Sequence, residues 1–225
     1  MSEGASMNET RQGFEPLTRT GMAARAAQDV PEGWYVNLGI GIPTLIADYI
    51  PPEREVVVHS ENGILGMGPA PAPHQQNPWL VNASTQRVSL RPGGAFVHHA
   101  DSFAMVRGGH IDLCVLGGFQ VAENGDLANW AHSPTETGRQ IGGAMDLAVG
   151  AKRVWVVMEH TTKEGAARLL RRCSYPLTAA ACVSRVYTNL AVLDVTPKGF
   201  VVIDMVHGLD FADLQARTDA ELHRA

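Results

Sequence analysis

Glu55-Val56-Val57-Val58-His59-Ser60-Glu61-Asn62-Gly63 decides how the rest of this 225-residue chain is read. The β-branched run Val56-Val57-Val58 reads as a buried strand continuing to His59. Glu61 then stands at the strand's end, between Ser60 and Asn62. Gly63 follows at once, where the chain can turn or a second backbone can approach closely. Strand ends in α/β folds are where reactive groups collect. A glutamate delivered there is placed to act as a nucleophile rather than as a surface charge.

Upstream, a helix is expected over Thr18–Gln28 with Met22, Ala23, Ala26 and Ala27 inward, closed by Pro31-Glu32-Gly33. A strand follows at Trp34–Leu38, then Gly39-Ile40-Gly41 and a short helix over Leu45–Tyr49. Gly66–Pro78 is too rich in Gly and Pro for regular structure, since proline removes donors and fixes φ. Further strands are predicted at Asp112–Leu116, Arg153–Met158, Val186–Asp194 and Phe200–Met205. Helices are predicted at Ser102–Arg107, Ala144–Val149, Lys163–Arg172 and Phe211–Arg217. Strands interleaved with short helices predict an α/β fold with an open, largely parallel sheet and flanking helices. One domain over residues 17–225 is expected behind a disordered extension, 1–16.

With 45% hydrophobic and 18% charged residues, the chain can bury a substantial core. A net charge of −5 offers no long-range attraction for nucleic acid or an anionic membrane, and neither partner is expected. The local cluster Arg168-Leu169-Leu170-Arg171-Arg172 reads as the solvated face of the Lys163–Arg172 helix. No apolar run reaches the roughly 18 residues of a membrane span. The start of the chain lacks the apolar core of a secretory signal. Three cysteines, Cys114, Cys173 and Cys182, have no CxxC spacing, which suits free thiols in a reducing compartment, the cytoplasm.

Several motifs yield to bland readings. Gly39-Ile40-Gly41 lacks the third glycine of a dinucleotide fingerprint, so it reads as a closely packed turn. His98-His99-Ala100-Asp101 with His110 suggests a metal site, but adjacent histidines on an extended chain point to opposite faces, and no metal is expected. Glu159-His160 lacks the second histidine of a zincin, no GxSxG motif marks a serine hydrolase, and nothing near Cys173 would activate its thiol. Gly125–Trp130 reads as a hairpin turn with an aromatic behind it. Gly142-Gly143-Ala144 precedes an apolar helical turn. Its backbone N–H groups either hold developing charge on a thioester or carboxylate oxygen or mark an ordinary loop-to-helix junction.

Taken together, Ser60-Glu61-Asn62-Gly63, Asn37–Thr44, Arg107-Gly108-Gly109-His110, Gly125–Trp130, Gly142–Leu147 and Tyr175-Pro176-Leu177-Thr178 resemble the family I CoA-transferases. The match runs in order from about Leu17 to Leu222 and looks like the β, or B, subunit of the heteromeric enzymes. Three stretches look closest to the 3-oxoadipate branch: His59–Pro73, His98–Phe103 and Cys182–Thr188. Departures from the acetoacetate-type pattern are Ala179-Ala180-Ala181, the His132–Arg139 linker, and Thr85 where lysine is frequent.

The resemblance implies a CoA-transferase fold and Glu61 as the nucleophile, with Gly142, Gly143 and Ala144 near the thioester. It also implies an α, or A, subunit as partner in an α2β2 assembly, and CoA thioester as substrate and covalent intermediate with no permanently bound cofactor. A dicarboxylic substrate would need a cation or donor, for which His98, His99, Arg107 and Arg139 are candidates. The rival readings are an acetoacetate- or butyrate-type transferase, an acyl-CoA hydrolase, and a non-catalytic regulatory domain on the same scaffold.

Overall fold

The structure, a computed structural model, describes residues 13–136, 138 and 140–225. Residues 1–12 of the expected extension, and Arg139 among the candidate cations, lie outside the described residues. Helix α1 (Arg19–Asp29) starts where the Thr18 hydroxyl accepts the Gly21 N–H at 3.0 Å. It stops at Val30, which is extended, as the residue before Pro31 must be. Strand β1 (Tyr35–Leu38) leads into a 3₁₀ helix, Ile42–Asp48, and then to β2 (Val57–Ser60) and β3 (Ile64–Met67).

After a second 3₁₀ turn, Pro73–Gln75, come β4 (Leu90–Phe96), α2 (His99–Arg107), β5 (Leu113–Gly117), β6 (Gln120–Ala122) and β7 (Leu127–Ala128). Helix α3 (Ala144–Gly150) precedes β8 (Val154–Met158), β9 (Leu169–Leu170), β10 (Val183–Thr188), β11 (Ala191–Thr196) and β12 (Gly199–Met205). Helix α4 (Phe211–Ala216) and β13 (Leu222–Arg224) complete the order.

Ten strands form one mixed sheet in the order β13-β12-β11-β10-β8-β5-β1-β2-β3-β4. Its centre, from β10 to β2, is parallel throughout. Antiparallel pairs flank it on both sides. Strands buried on both faces alternate between two cores. Leu113 and Val115 of β5 and Trp155 and Val157 of β8 join the core under α1, with Met22, Ala23 and Ala26. Cys114, Leu116, Val154 and Val156 join the opposite core, with Val106 of α2 and Leu147 of α3. Small residues along α1 let it lie close to the sheet, and fully buried Met22 contributes about 1.5–3 kcal/mol there.

Three expectations are corrected. Val186–Asp194 is not one strand: it folds back at Asn189-Leu190, where the Thr188 hydroxyl accepts the N–H groups of Leu190 and Ala191 at 3.1 and 2.9 Å. Lys163–Arg172 is not a helix. The Thr162 hydroxyl draws the N–H groups of Glu164 and Ala166 into a turn, and Leu169-Leu170 pairs beside β6 in a small second sheet. Nor do His98 and His99 lie together on an extended chain: His98 is extended and caps α2, its Nδ1 accepting the Ala100 N–H at 3.2 Å, but His99 is already helical. Strand β4 escaped sequence reading because it contains Pro92-Gly93-Gly94; as the outermost strand it tolerates a missing donor.

Candidate active site

Glu61 stands at the tip of the β2–β3 hairpin, whose turn closes when the Gly63 N–H donates to the Ser60 carbonyl at 2.9 Å. Gly63 has φ +111°, and a β-carbon there would run into the Val97 carbonyl oxygen. The flanking side chains face other duties. Ser60 Oγ accepts the Ala83 N–H at 3.0 Å, and Asn62 Nδ2 donates to the Val81 carbonyl at 2.7 Å. Both tie the turn to the 81–83 loop, whereas Glu61 lines a cavity.

A buried polar network braces β2 from beneath. Asn37 Nδ2 donates to His59 Nδ1 at 2.9 Å, so the proton on Nε2 points to Ser102 Oγ at 2.7 Å. Asn37 Oδ1 accepts the Cys114 thiol at 3.5 Å, which agrees with that amide orientation. Burial lowers the His59 pKa to about 4, so the ring is neutral at physiological pH. The network joins β1, β2, α2 and β5, the four elements around the glutamate.

The Glu61 carboxyl is half-buried. Burial pushes its pKa up from the ordinary carboxylate value, while the nearby charge of His99 opposes the rise. Across from it lies Gly143: a β-carbon there would stand 3.7 Å from Glu61 Oε1. The same β-carbon would meet Phe103 Cζ at 2.6 Å. Phe103 belongs to α2, and Arg107 one turn later clasps Asp146 of α3 through both oxygens, at 2.8 and 3.0 Å. Helix α2 thus sets where the Gly142-Gly143 turn sits. Among the described residues nothing accepts from the Gly142 or Gly143 N–H, whereas the Ala144 N–H already donates to the Ile141 carbonyl at 3.3 Å.

A cavity of about 740 Å³ opens beside Glu61. Its walls are the carboxyl ends of β1, β5 and β8, contributing Gly39, Gly117 and Glu159, together with the Gly142-Gly143 turn and Asn129, Trp130 and His132. The chain leaves β1 for β2 on one side and returns through α2 to β5 on the other, so this is where the strand order reverses. Asn129 is fixed by donating to the Gly117 carbonyl at 3.0 Å and accepting the Thr178 hydroxyl at 2.6 Å.

Of the predicted residues, Glu61, Gly142, Gly143 and Ala144 share this cavity, and Ser60, Asn62 and Gly63 form the turn beneath it. His98 and Arg107 are engaged elsewhere, in a helix cap and an ion pair. His99 stacks obliquely on Phe103 at 5.0 Å and acts on Glu61 through its charge. In the Gly39-Ile40-Gly41 turn only Gly39 is closely packed, donating to the Val115 carbonyl at 2.8 Å; Ile40 is exposed in the cavity wall and Gly41 has open space beside it, which corrects the expectation of a closely packed turn. Sequence reading missed Gly117-Gly118, Glu159 and Arg168 in the wall. A glycine pair directly after an apolar strand was the available signal for the first. Among the described residues no group of three or more His, Cys, Asp or Glu is arranged to hold a metal ion, and no helix is long and apolar enough to cross a membrane.

The model of the Coenzyme A transferase family matches residues 19–208. The chain belongs to that family. The B subunit of the 3-oxoadipate CoA-transferase of Pseudomonas putida is 57% identical over 199 residues, covering 88% of this chain and 93% of that protein. The protein of the same name from Acinetobacter baylyi is 53% identical over 209 residues, covering 93% of this chain and 96% of its own. This CoA-transferase chain is therefore of the B-subunit type. Its fold matches an acyl-CoA transferase from Escherichia coli O157:H7 with a TM-score of 0.71 at 18% identity. That alignment covers 95% of this chain and 43% of the longer one, so this chain spans less than half of that protein.

Proposed function

We propose that this chain is the glutamate-bearing subunit of a heteromeric CoA-transferase that moves CoA from succinyl-CoA to a 3-oxoacid, 3-oxoadipate foremost. The observation that carries the reading is the half-buried Glu61 carboxylate set against Gly143 in a cavity at the strand ends. Glu61 attacks the thioester carbonyl, forming a mixed anhydride as the carbon–sulfur bond breaks and CoA leaves as thiolate. The thiolate attacks the glutamyl carbonyl, giving a glutamyl-CoA thioester and free succinate. The acceptor carboxylate reverses these steps and departs as its CoA ester, regenerating Glu61.

A carboxylate is a weak nucleophile towards a thioester, so positioning supplies much of the acceleration. The Gly142 and Gly143 N–H groups are the donors for the tetrahedral oxyanion, and one such donor is worth about 10²–10³ in rate. Because anhydrides hydrolyse, the site must exclude water, a task that falls to the partner, since no residue of the Gly66–Pro78 stretch lines the cavity. The partner is the complementary α, or A, subunit in an α2β2 assembly, a reading supported by the relatives' names as B subunits. The reading takes the assembly to be cytoplasmic, in keeping with free thiols at Cys114, Cys173 and Cys182, and each chain to be one domain over 17–225.

The test is peptide mass spectrometry of the assembled enzyme after incubation with succinyl-CoA, which should find CoA attached at Glu61. Unmodified Glu61 in an active enzyme sinks the covalent mechanism. Acceptor-dependent transfer exceeding thioester hydrolysis separates a transferase from a hydrolase, and neither activity in the assembled pair points to a regulatory domain.

A further inference from the structure

We propose that Arg168 binds the distal carboxylate of a dicarboxylic acyl group, which makes the Glu61 cavity selective for dicarboxylic over monocarboxylic acids; this rests on Glu61 as the acylated residue. The cavity beside Glu61 adjoins a second of about 360 Å³, and Phe119, His132 and Arg168 belong to the walls of both. Arg168 thus stands at their junction.

Its backbone is pinned twice. The Arg168 N–H donates to the carbonyl of buried His160 at 3.2 Å, and its carbonyl accepts the Val121 N–H at 3.0 Å. Leu169 next to it is fully buried, so along this short strand Arg168 takes the opposite direction. The rings of Phe119 and His132 stack at 4.5 Å in the wall that Arg168 shares between the two cavities.

Charge sharpens the assignment. Glu61 and Glu159 both face the cavity, and a free carboxylate entering between them is repelled unless a cation receives it. The wall supplies two arginines, Arg19 and Arg168. Arg19 is exposed at the first turn of α1, whereas Arg168 is half-buried. Arg168 forms no ion pair among the described residues; exposed Glu164 senses its charge without pairing. Its fork is free for a bidentate carboxylate.

The experiment compares wild type, Arg168→Gln and Arg168→Lys, each assembled with the complementary A chain, on 3-oxoadipate and on acetoacetate, which has the same 3-oxoacid head without the second carboxylate. Loss of one charge-assisted contact predicts about a tenfold or larger fall in kcat/KM for 3-oxoadipate in Arg168→Gln, with acetoacetate changed by less than about twofold. Arg168→Lys should recover part of the preference. Equal losses on both acids, as expected if Arg168 holds a CoA phosphate or only the fold, overturn the proposal; so does unchanged selectivity. Labelling of Glu61 by acetoacetyl-CoA in the same preparations separates the two readings. Labelled Glu61 with unaltered selectivity overturns the Arg168 role alone, while unlabelled Glu61 in active wild type overturns the mechanism beneath it.

Discussion

The ring of Phe103 occupies the space that a β-carbon on Gly143 would need, with Cζ 2.6 Å from that position. Phe103 is itself buried, so it cannot swing away into solvent. The Gly142-Gly143 turn can therefore approach Glu61 only because residue 143 has no side chain. Helix α2 provides Phe103, the Ser102 end of the His59 network and the Arg107 clasp on Asp146. It is the scaffold that holds Glu61 and the Gly142-Gly143 turn at a fixed separation.

Gly143→Ala should push the turn away from Glu61. Overpacking of this kind costs about 1–3 kcal/mol of stability, and a shift near 1 Å at a reacting centre can cost about 100-fold in rate. We expect kcat to fall far more than thermal stability, and Phe103→Leu on the Gly143→Ala background to restore part of it. Steady-state kinetics and thermal melts of the assembled enzyme decide; an Ala variant with unaltered kcat removes the turn from the mechanism.

The turn beneath Glu61 has a different sensitivity. Gly63→Ala meets both a left-handed φ of +111° and the Val97 carbonyl, so backbone strain of about 1–3 kcal/mol adds to a steric clash. Asn62→Ala loses only the 2.7 Å bond to the Val81 carbonyl, about 1 kcal/mol. Urea unfolding should rank Gly63→Ala well below Asn62→Ala in stability. The reverse order would mean that the hairpin tolerates a rearranged turn.

The parallel centre of the sheet was legible because Val56–His59, Asp112–Leu116 and Arg153–Met158 are apolar runs bounded by turn residues. The placement of Glu61 at a strand end was legible from the β-branched run before it and Gly63 after it. The antiparallel margins were not. Val186–Asp194 hides a two-residue turn in an apolar run, and β4 carries residues that disfavour strands in general but not at an edge. Arg168 was misread for a related reason. Arg-Leu-Leu-Arg-Arg fits a helix by composition, and only long-range pairing of Leu169 with Val121 turns it into a strand. The cations proposed for substrate from sequence were chosen by charge and motif. Whether Arg107 is free depends on Asp146, 39 residues away, which no local pattern reveals.

Two histidines make stability depend on pH. His59 and His160 are fully buried and neutral, each with its pKa lowered from 6.5 to about 4, in both cases chiefly by burial. Below pH 6.5 the unfolded chain takes up protons that the folded chain refuses, so their contribution is whole above that pH and lost as the pH falls towards 4. Each is worth up to about 3 kcal/mol over that window. Urea midpoints measured from pH 7 down to 4.5 should fall steadily, and NMR should show both rings unprotonated at pH 5.5. A midpoint independent of pH over this range would contradict the burial of both rings.

On the proposed mechanism Glu61 must be ionised to attack, yet burial raises its pKa, and the charge of His99 opposes the rise. Replacing His99 with Gln removes that restraint. The Glu61 pKa then climbs further, less carboxylate is present at any mildly acid pH, and the acid limb of the kcat/KM profile moves to higher pH. Activity well above that limb should change little, since the nucleophile is fully ionised in either protein. The measurement is a pH–rate profile of the assembled enzyme, wild type against His99→Gln, with a saturating acceptor. A limb that stays in place, or moves to lower pH, would show that His99 does not act on Glu61 through its charge.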